Sequence, residues 1–190
     1  MFDGFADWEI SYVTPHLQKS EKYDLATISI NGQYVTSMGG LRVICNYKLA
    51  DMDYENTAML ILPGGDAWER KELREVIPVV HKLVQKQIPV AAICGATTLL
   101  ADIQLLNSIK HTSNSKEYLK NNCPGYNGQD YYQGEENYSN PTAITDSNII
   151  TSGGIASIEF AKEIFKLLKI YDEATIEKWY RLFKHGTWPE

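Results

Sequence analysis

No apolar run in this chain approaches the roughly 18 to 20 residues that a bilayer-spanning helix needs, so no membrane partner is expected. Basic residues are in deficit, with 18 Lys and Arg against 24 Asp and Glu and a formal charge of −6. A broad phosphate-binding face needs the opposite balance, so nucleic acid is not expected either. Cysteine is scarce. The three present, Cys45, Cys94 and Cys123, are odd in number, widely spaced and without a C-x-x-C pair, which excludes a disulfide framework. His16, His81, His111 and His185 are scattered, so zinc-type ligand spacing is missing, and neither a metal nor another cofactor is expected. Met1 to Glu9 carries Asp3, Asp7 and Glu9 and no basic stretch, unlike a secretory signal. Reduced thiols in a cytoplasmic setting follow as the expectation.

What the chain does have is enough apolar matter for one core. Its 190 residues are 44% hydrophobic, which suits a single domain over 1–190 rather than two. Asp7 stands where it could cap a helix through Trp8, Tyr12 and Leu17, with Pro15 limiting its regularity. Leu25 to Ile30 alternates as a strand does, and Asn31-Gly32 is a turn. Tyr34 to Ser37 and Arg42 to Cys45 fit a hairpin around Gly39-Gly40. Ala58 to Leu62 and Ile88 to Ile93 are continuous apolar runs, the pattern of strands covered on both faces. Between them, Val76, Val80 and Val84 recur at helical spacing within Arg74 to Gln87, and a further helix is expected through Leu99-Leu100-Ala101. Strand, helix, strand, helix implies parallel strands joined by crossovers.

The polar stretch from Asn121 to Asn140, with Tyr126, Tyr131, Tyr132 and Tyr138, reads as a surface excursion in which Tyr131 and Tyr132 suit a lid or a subunit contact. Ala143 to Thr145 and Ile149 to Thr151 flank Asp146-Ser147-Asn148 as a second hairpin. Ile155, Ile158, Ala161, Ile164, Phe165 and Leu168 mark a helix, and Ile176, Trp179, Tyr180 and Phe183 a last one. Trp68, Trp179 and Trp188 read as packing residues.

Two of the buried runs end on unusual turns, Pro63-Gly64-Gly65 and Cys94-Gly95-Ala96. Ligands of open parallel sheets sit beyond such strand ends. A side chain between a strand end and a helix start is lifted into the crevice, as the serine of a hydrolase elbow is. At Cys94 the start of the following helix would favour the thiolate and lower the thiol pKa. Free amides there, with those of Gly64, Gly65 and Gly95, could hold a developing oxyanion. The competing reading is that Cys94 is a small buried hydrophobe, as free cysteines often are, and that Pro-Gly-Gly is only a turn. Cys45, in a hairpin, and Cys123, before Pro124, carry no such signal.

Taken together, Phe2-Asp3-Gly4-Phe5-Ala6-Asp7-Trp8-Glu9, Leu60 to Gly65, Ala91-Ala92-Ile93-Cys94-Gly95-Ala96-Thr97, Leu105-Leu106-Asn107 leading to His111-Thr112-Ser113-Asn114, and Ile149 to Phe160 resemble the ThiJ/PfpI family of the class I glutamine amidotransferase-like superfamily. The resemblance spans nearly the whole chain. It implies a flavodoxin-like three-layer α/β/α sandwich with a mostly parallel central sheet. It implies that Cys94 is the nucleophile and that Glu9 sits beside its thiol; taken alone, Glu9 reads as an exposed first-turn glutamate. It further implies a small carbonyl or amide compound as substrate, in a hydrolase, amidase or deglycase-like reaction, and a homodimer. The alternatives from the same cysteine are an oxidative-stress sensor or protective protein, and a binding module that keeps only the fold.

Two features depart from the family pattern. Asn114 occupies the register where many hydrolytic relatives place a histidine, with His111 nearby on another facing, so the base of a Cys-His pair is in doubt and either residue is only a candidate third member. The family's central first strand is reduced here to a stub at Met1-Phe2, which would expose backbone groups of its neighbours.

Overall fold

The computed structural model describes residues 1–123 and 134–188. Its centre is a four-stranded sheet in the order β5-β6-β8-β7, made of Leu60–Leu62, Val90–Ile93, Ile149–Ser152 and Ala143–Asp146. β5, β6 and β8 run parallel, and β7 pairs antiparallel with β8 through the expected turn at Asp146 to Asn148. β6 is buried at every position, as its unbroken apolar run requires. Its side chains alternate. Val90 and Ala92 join a cluster with Val79, Val80 and Leu83 of α3 (Ile77–Gln85) and Leu99 and Leu100 of α4 (Ala96–Asp102). Ala91 and Ile93 join the opposite cluster, with Phe160, Ile164 and Phe165 of α7 (Ser157–Leu168) and Ile176 and Trp179 of α8 (Glu173–His185). Helices therefore cover both faces of a mostly parallel sheet, the three-layer α/β/α arrangement expected. Each large aliphatic or aromatic side chain so buried contributes about 1.5–3 kcal/mol before entropy is subtracted.

A smaller β region carries β1 (Ile28–Ser29), β2 (Val35–Thr36), β3 (Arg42–Val43) and β4 (Tyr47–Lys48). β2 and β3 form the expected hairpin. The strand read over Leu25 to Ile30 shrinks to the two residues that find a partner, β4, alongside. In the position of the reduced first strand, residues 1 to 6 tie the two regions together: the Met1 amine donates to the Ile28 carbonyl and the Ala6 amide to that of Gly64. A cavity of ≈ 520 Å³ lies between β1 and β5, lined by Ile28, Ile30, Leu60 and Leu62 among others.

Several expectations are corrected. The first helix is two short ones, α1 (Asp7–Ile10) and α2 (Thr14–Gln18), and Asp7 does not cap it. The Asp7 carboxylate accepts instead from the Ser37 hydroxyl, and Pro15 sits at the start of α2, where its missing N–H costs nothing. The Arg74 to Gln87 helix opens as a single 3-10 turn over Arg74–Val76. Ile155 is not on α7 but precedes it, 96% exposed. Trp188 lies past the Gly186 cap of α8 and is 79% exposed, whereas Trp68 and Trp179 are buried as expected. Tyr126, Tyr131 and Tyr132 fall outside the described residues. Among the described residues no helix is long and apolar enough to cross a membrane.

One polar contact stitches the helical layer. Trp179 Nε1 donates to His16 Nε2 at 3.0 Å, and His16 Nδ1 lies 2.9 Å from the Tyr171 hydroxyl. An indole nitrogen can only donate, so Nε2 is the unprotonated nitrogen and the ring is neutral. Burial, and secondarily the Lys19 charge, hold the His16 pKa below its usual value. The neutral ring thus supports the fold above the unfolded value of about 6.5 and loses that support as pH falls from there toward the lower folded value. Replacing His16 by Gln should remove this component. Thermal midpoints measured at pH 7.5 and 5.5 should then fall less in His16→Gln than in the parent; an equal fall in both would show that the contact carries no proton linkage.

Candidate active site

Three parallel strands end level with one another, and each end carries one wall of the site. β6 ends at Cys94, which takes a left-handed backbone (φ 57°) rare for a residue with a side chain. Its amide donates to the Ser152 carbonyl at 2.9 Å, and its carbonyl accepts from the Thr97 amide at 3.1 Å and hydroxyl at 2.6 Å. These bonds hold the sharp turn into α4. β5 is followed by Pro63-Gly64 and β8 by Gly153-Gly154.

Both flanking turns need glycine because they press on the cysteine. A Cβ on Gly64 would lie 2.6 Å from Cys94 Cβ and 2.6 Å from Glu9 Oε2. A Cβ on Gly154 would lie 2.8 Å from Cys94 Sγ and 3.1 Å from Glu9 Oε1. Gly154 was not singled out from the sequence. The signal was there, since Gly153-Gly154 follows a buried strand just as Gly64-Gly65 does.

Glu9 enters from α1 and is 1% exposed. Its Oε2 accepts from the Gly64 amide at 2.6 Å. Its Oε1 is buried, has no other donor among the described residues and faces the thiol. Glu9 is therefore not the exposed first-turn residue of the simpler reading. Burial pushes its pKa up to about 7, against the lowering pull of the Gly64 amide and the thiol. The thiol is shifted too, and in the direction opposite to expectation. Burial, then the Glu9 charge, push Cys94 up to about 11, outweighing the Asn114 and Gly95 donors that favour thiolate. Cys94 thus holds its proton through the neutral range, while Glu9 gives up its own near 7.

Asn114 completes the ring around the sulfur. Its Nδ2 donates to Cys94 Sγ at 3.4 Å, and its Oδ1 accepts from the Gly154 amide at 2.8 Å. Behind it, Ser113 Oγ lies 2.6 Å from Thr97 Oγ1. His111 is brought close in sequence but not to the thiol. It is fully buried, with Nδ1 2.9 Å from the Ile109 carbonyl and its ring edge-on to Tyr138, outside the lining of the pocket. The Gly64 amide is committed to Glu9 and the Gly95 amide faces the sulfur, while a Cβ on Gly95 would lie 2.7 Å from the Gly65 carbonyl oxygen. Cys45 and Cys123 are both buried away from this pocket, Cys123 against the Thr98 carbonyl. The pocket itself has a volume of ≈ 860 Å³ and opens over Cys94, Glu9, Asn114, Gly154, Trp8 and Ile155. Among the described residues no three His, Cys, Asp or Glu converge as metal ligands would.

The chain matches a sequence model of the DJ-1/PfpI family over residues 1–167. It is 32% identical over 191 residues to a Bacillus subtilis protein named uncharacterized protease YoaZ, covering 97% of this chain and 88% of that protein. It is 28% identical over 167 residues to a Pyrococcus horikoshii protein named deglycase PH1704, covering 87% of this chain and 94% of that one. Among solved structures, a thiJ/pfpI family protein from Bacillus anthracis superposes with a TM-score of 0.86 at 35% identity, over 98% of this chain and 89% of that one.

The packing of Gly154 on the sulfur has a direct consequence. Gly154→Ala should slow iodoacetamide labelling of Cys94 at least about tenfold, read by peptide mass spectrometry, with the circular dichroism of the fold retained. Unchanged labelling would mean that the Gly153-Gly154 turn can move off the thiol.

Proposed function

The chain belongs to the DJ-1/PfpI family, and on that footing we propose that it is a cysteine-dependent enzyme acting on a small carbonyl or amide compound. The observation that carries the reading is the buried Glu9 carboxyl with one oxygen free against the Cys94 thiol, inside an open pocket. The deglycase and protease names of the relatives support the same class of electrophile.

The chemistry follows from the pair. Cys94 is a thiol at rest, so the sulfur becomes a nucleophile by handing its proton to the Glu9 carboxylate as it attacks. The S–C bond forms, the C=O electron pair moves onto oxygen, and the amides of Gly65 and Gly95 meet the charge. Glu9, now protonated, returns that proton to the leaving amine of an amide or to the oxygen of an aldehyde adduct. Asn114 cannot accept a proton; its amide orients the sulfur and ties it to Gly154. One carboxyl therefore does the work of base and acid.

The pH dependence has a definite sign. Below about 7 Glu9 is a neutral acid and cannot take the thiol proton; above it, it can. In a screen of aldehydes and amides, kcat/KM should rise through about pH 7. Glu9→Gln should lose that limb and fall by roughly 10²–10⁴, and Cys94→Ser should lose turnover while keeping its fold. Turnover that survives Cys94→Ser would overturn the reading. Selective peroxide oxidation of Cys94 with no turnover of any substrate would favour the sensor instead.

A paired form of the molecule belongs to the same proposal. Leu41 and Ile44, on and beside the β2–β3 hairpin, are 60% and 83% exposed, an apolar edge that a second copy would cover. Light scattering should give twice the 21.5 kDa chain mass; a monomer at every concentration would overturn it.

A further inference from the structure

Two large apolar side chains stand exposed at the mouth of the thiol pocket. Trp8 is 50% and Ile155 96% exposed, and both line it. Neither is placed there by accident of a remote loop. Trp8 is the residue before Glu9, and Ile155 the residue after Gly154, so each is covalently next to a group in contact with the sulfur. Pro141 and Ala156 extend the apolar wall.

Among the described residues, the charges of the same lining are Glu9, Glu117 and Lys116. Lys116 and Lys120 share Glu135, at 3.3 and 3.1 Å, and Glu117 offsets the remaining positive charge, so the charge an anionic ligand would meet at the sulfur is the Glu9 carboxyl. We propose that the site selects neutral carbonyl or amide compounds bearing an apolar substituent, which Trp8 and Ile155 cover while the reacting carbon sits at Cys94. This deepens, and rests on, the nucleophilic reading of Cys94. It assigns Trp8 and Ile155 as specificity-determining residues, because a ligand that spans from the sulfur to the pocket mouth buries its far end against them.

Haloacetamides test the pocket without requiring turnover. Iodoacetanilide, iodoacetamide and iodoacetate differ only in carrying a phenyl group, no group, or a negative charge. Their rates at Cys94 are measured by peptide mass spectrometry at one pH and divided by their rates with glutathione. The anilide should be enriched over the amide about tenfold, the value of burying part of one ring, and iodoacetate should be depleted several-fold. Trp8→Ser should reduce the enrichment. Ile155→Ser, at a site too exposed to support the core, should reduce it also, and the double variant should bring it to the glutathione ratio. An anilide-to-amide ratio equal to that of glutathione, or enrichment of iodoacetate, overturns the proposal. Enrichment without turnover of any neutral aldehyde or amide would sink the enzyme reading alone, while turnover without enrichment would sink only the specificity. A Cys94 that labels with none of the three removes both.

Discussion

The left-handed backbone at Cys94 is the constraint on which the site depends. A non-glycine residue held at φ 57° costs of order 1–3 kcal/mol, and it persists only where its surroundings over-determine it. Here they do: Ser152 on the neighbouring strand fixes the amide and Thr97 on the following helix fixes the carbonyl. The reward is a side chain turned out of the sheet at the one level where β5, β6 and β8 all stop. Gly64 and Gly154 then close on it from either side, because only hydrogen atoms fit between their backbones and the cysteine.

That crowding also sets the electrostatics. The same two glycine turns pack on Glu9 and on the partly buried Cys94, and burial raises the pKa of both. A short helix start and two polar donors are too little to make a resting thiolate against that loss of hydration. The pair instead stores its reactivity as a proton to be exchanged. An imidazole in place of Asn114 would add a second proton carrier and a charge; the carboxamide adds direction without either.

The elements legible in the sequence were those whose burial leaves a mark on composition. The uniform apolar runs ending at Leu62 and Ile93 named β5 and β6, and the turns after them located the site. Cys94 was visible as an exposed elbow but its pKa shift was not, because the sign depends on how closely Gly64, Gly154 and Glu9 crowd the sulfur, and no local pattern encodes that distance. Glu9 was reachable only through family resemblance: in a short first helix its neighbours Asp7 and Trp8 are polar or exposed, and nothing local marks it as the inward one. Ile155 misled for a related reason. It stands three residues before Ile158, a helical spacing, but the Gly153-Gly154 turn delays the helix until Ser157 and leaves it outside.

The cavity between β1 and β5 has a consequence for cooperativity. Among the described residues β5 has a strand neighbour on one side only and β1 pairs with β4 alone, so no backbone ladder there crosses from the small β region to the main sheet. Side-chain packing and the opening six residues make the connection. Local unfolding should then divide along that line, with the amide protons of β1 to β4 expected to exchange faster than those of β6 and β8. The molecule can breathe at that seam while its cysteine turn, anchored to β8 and α4, stays locked.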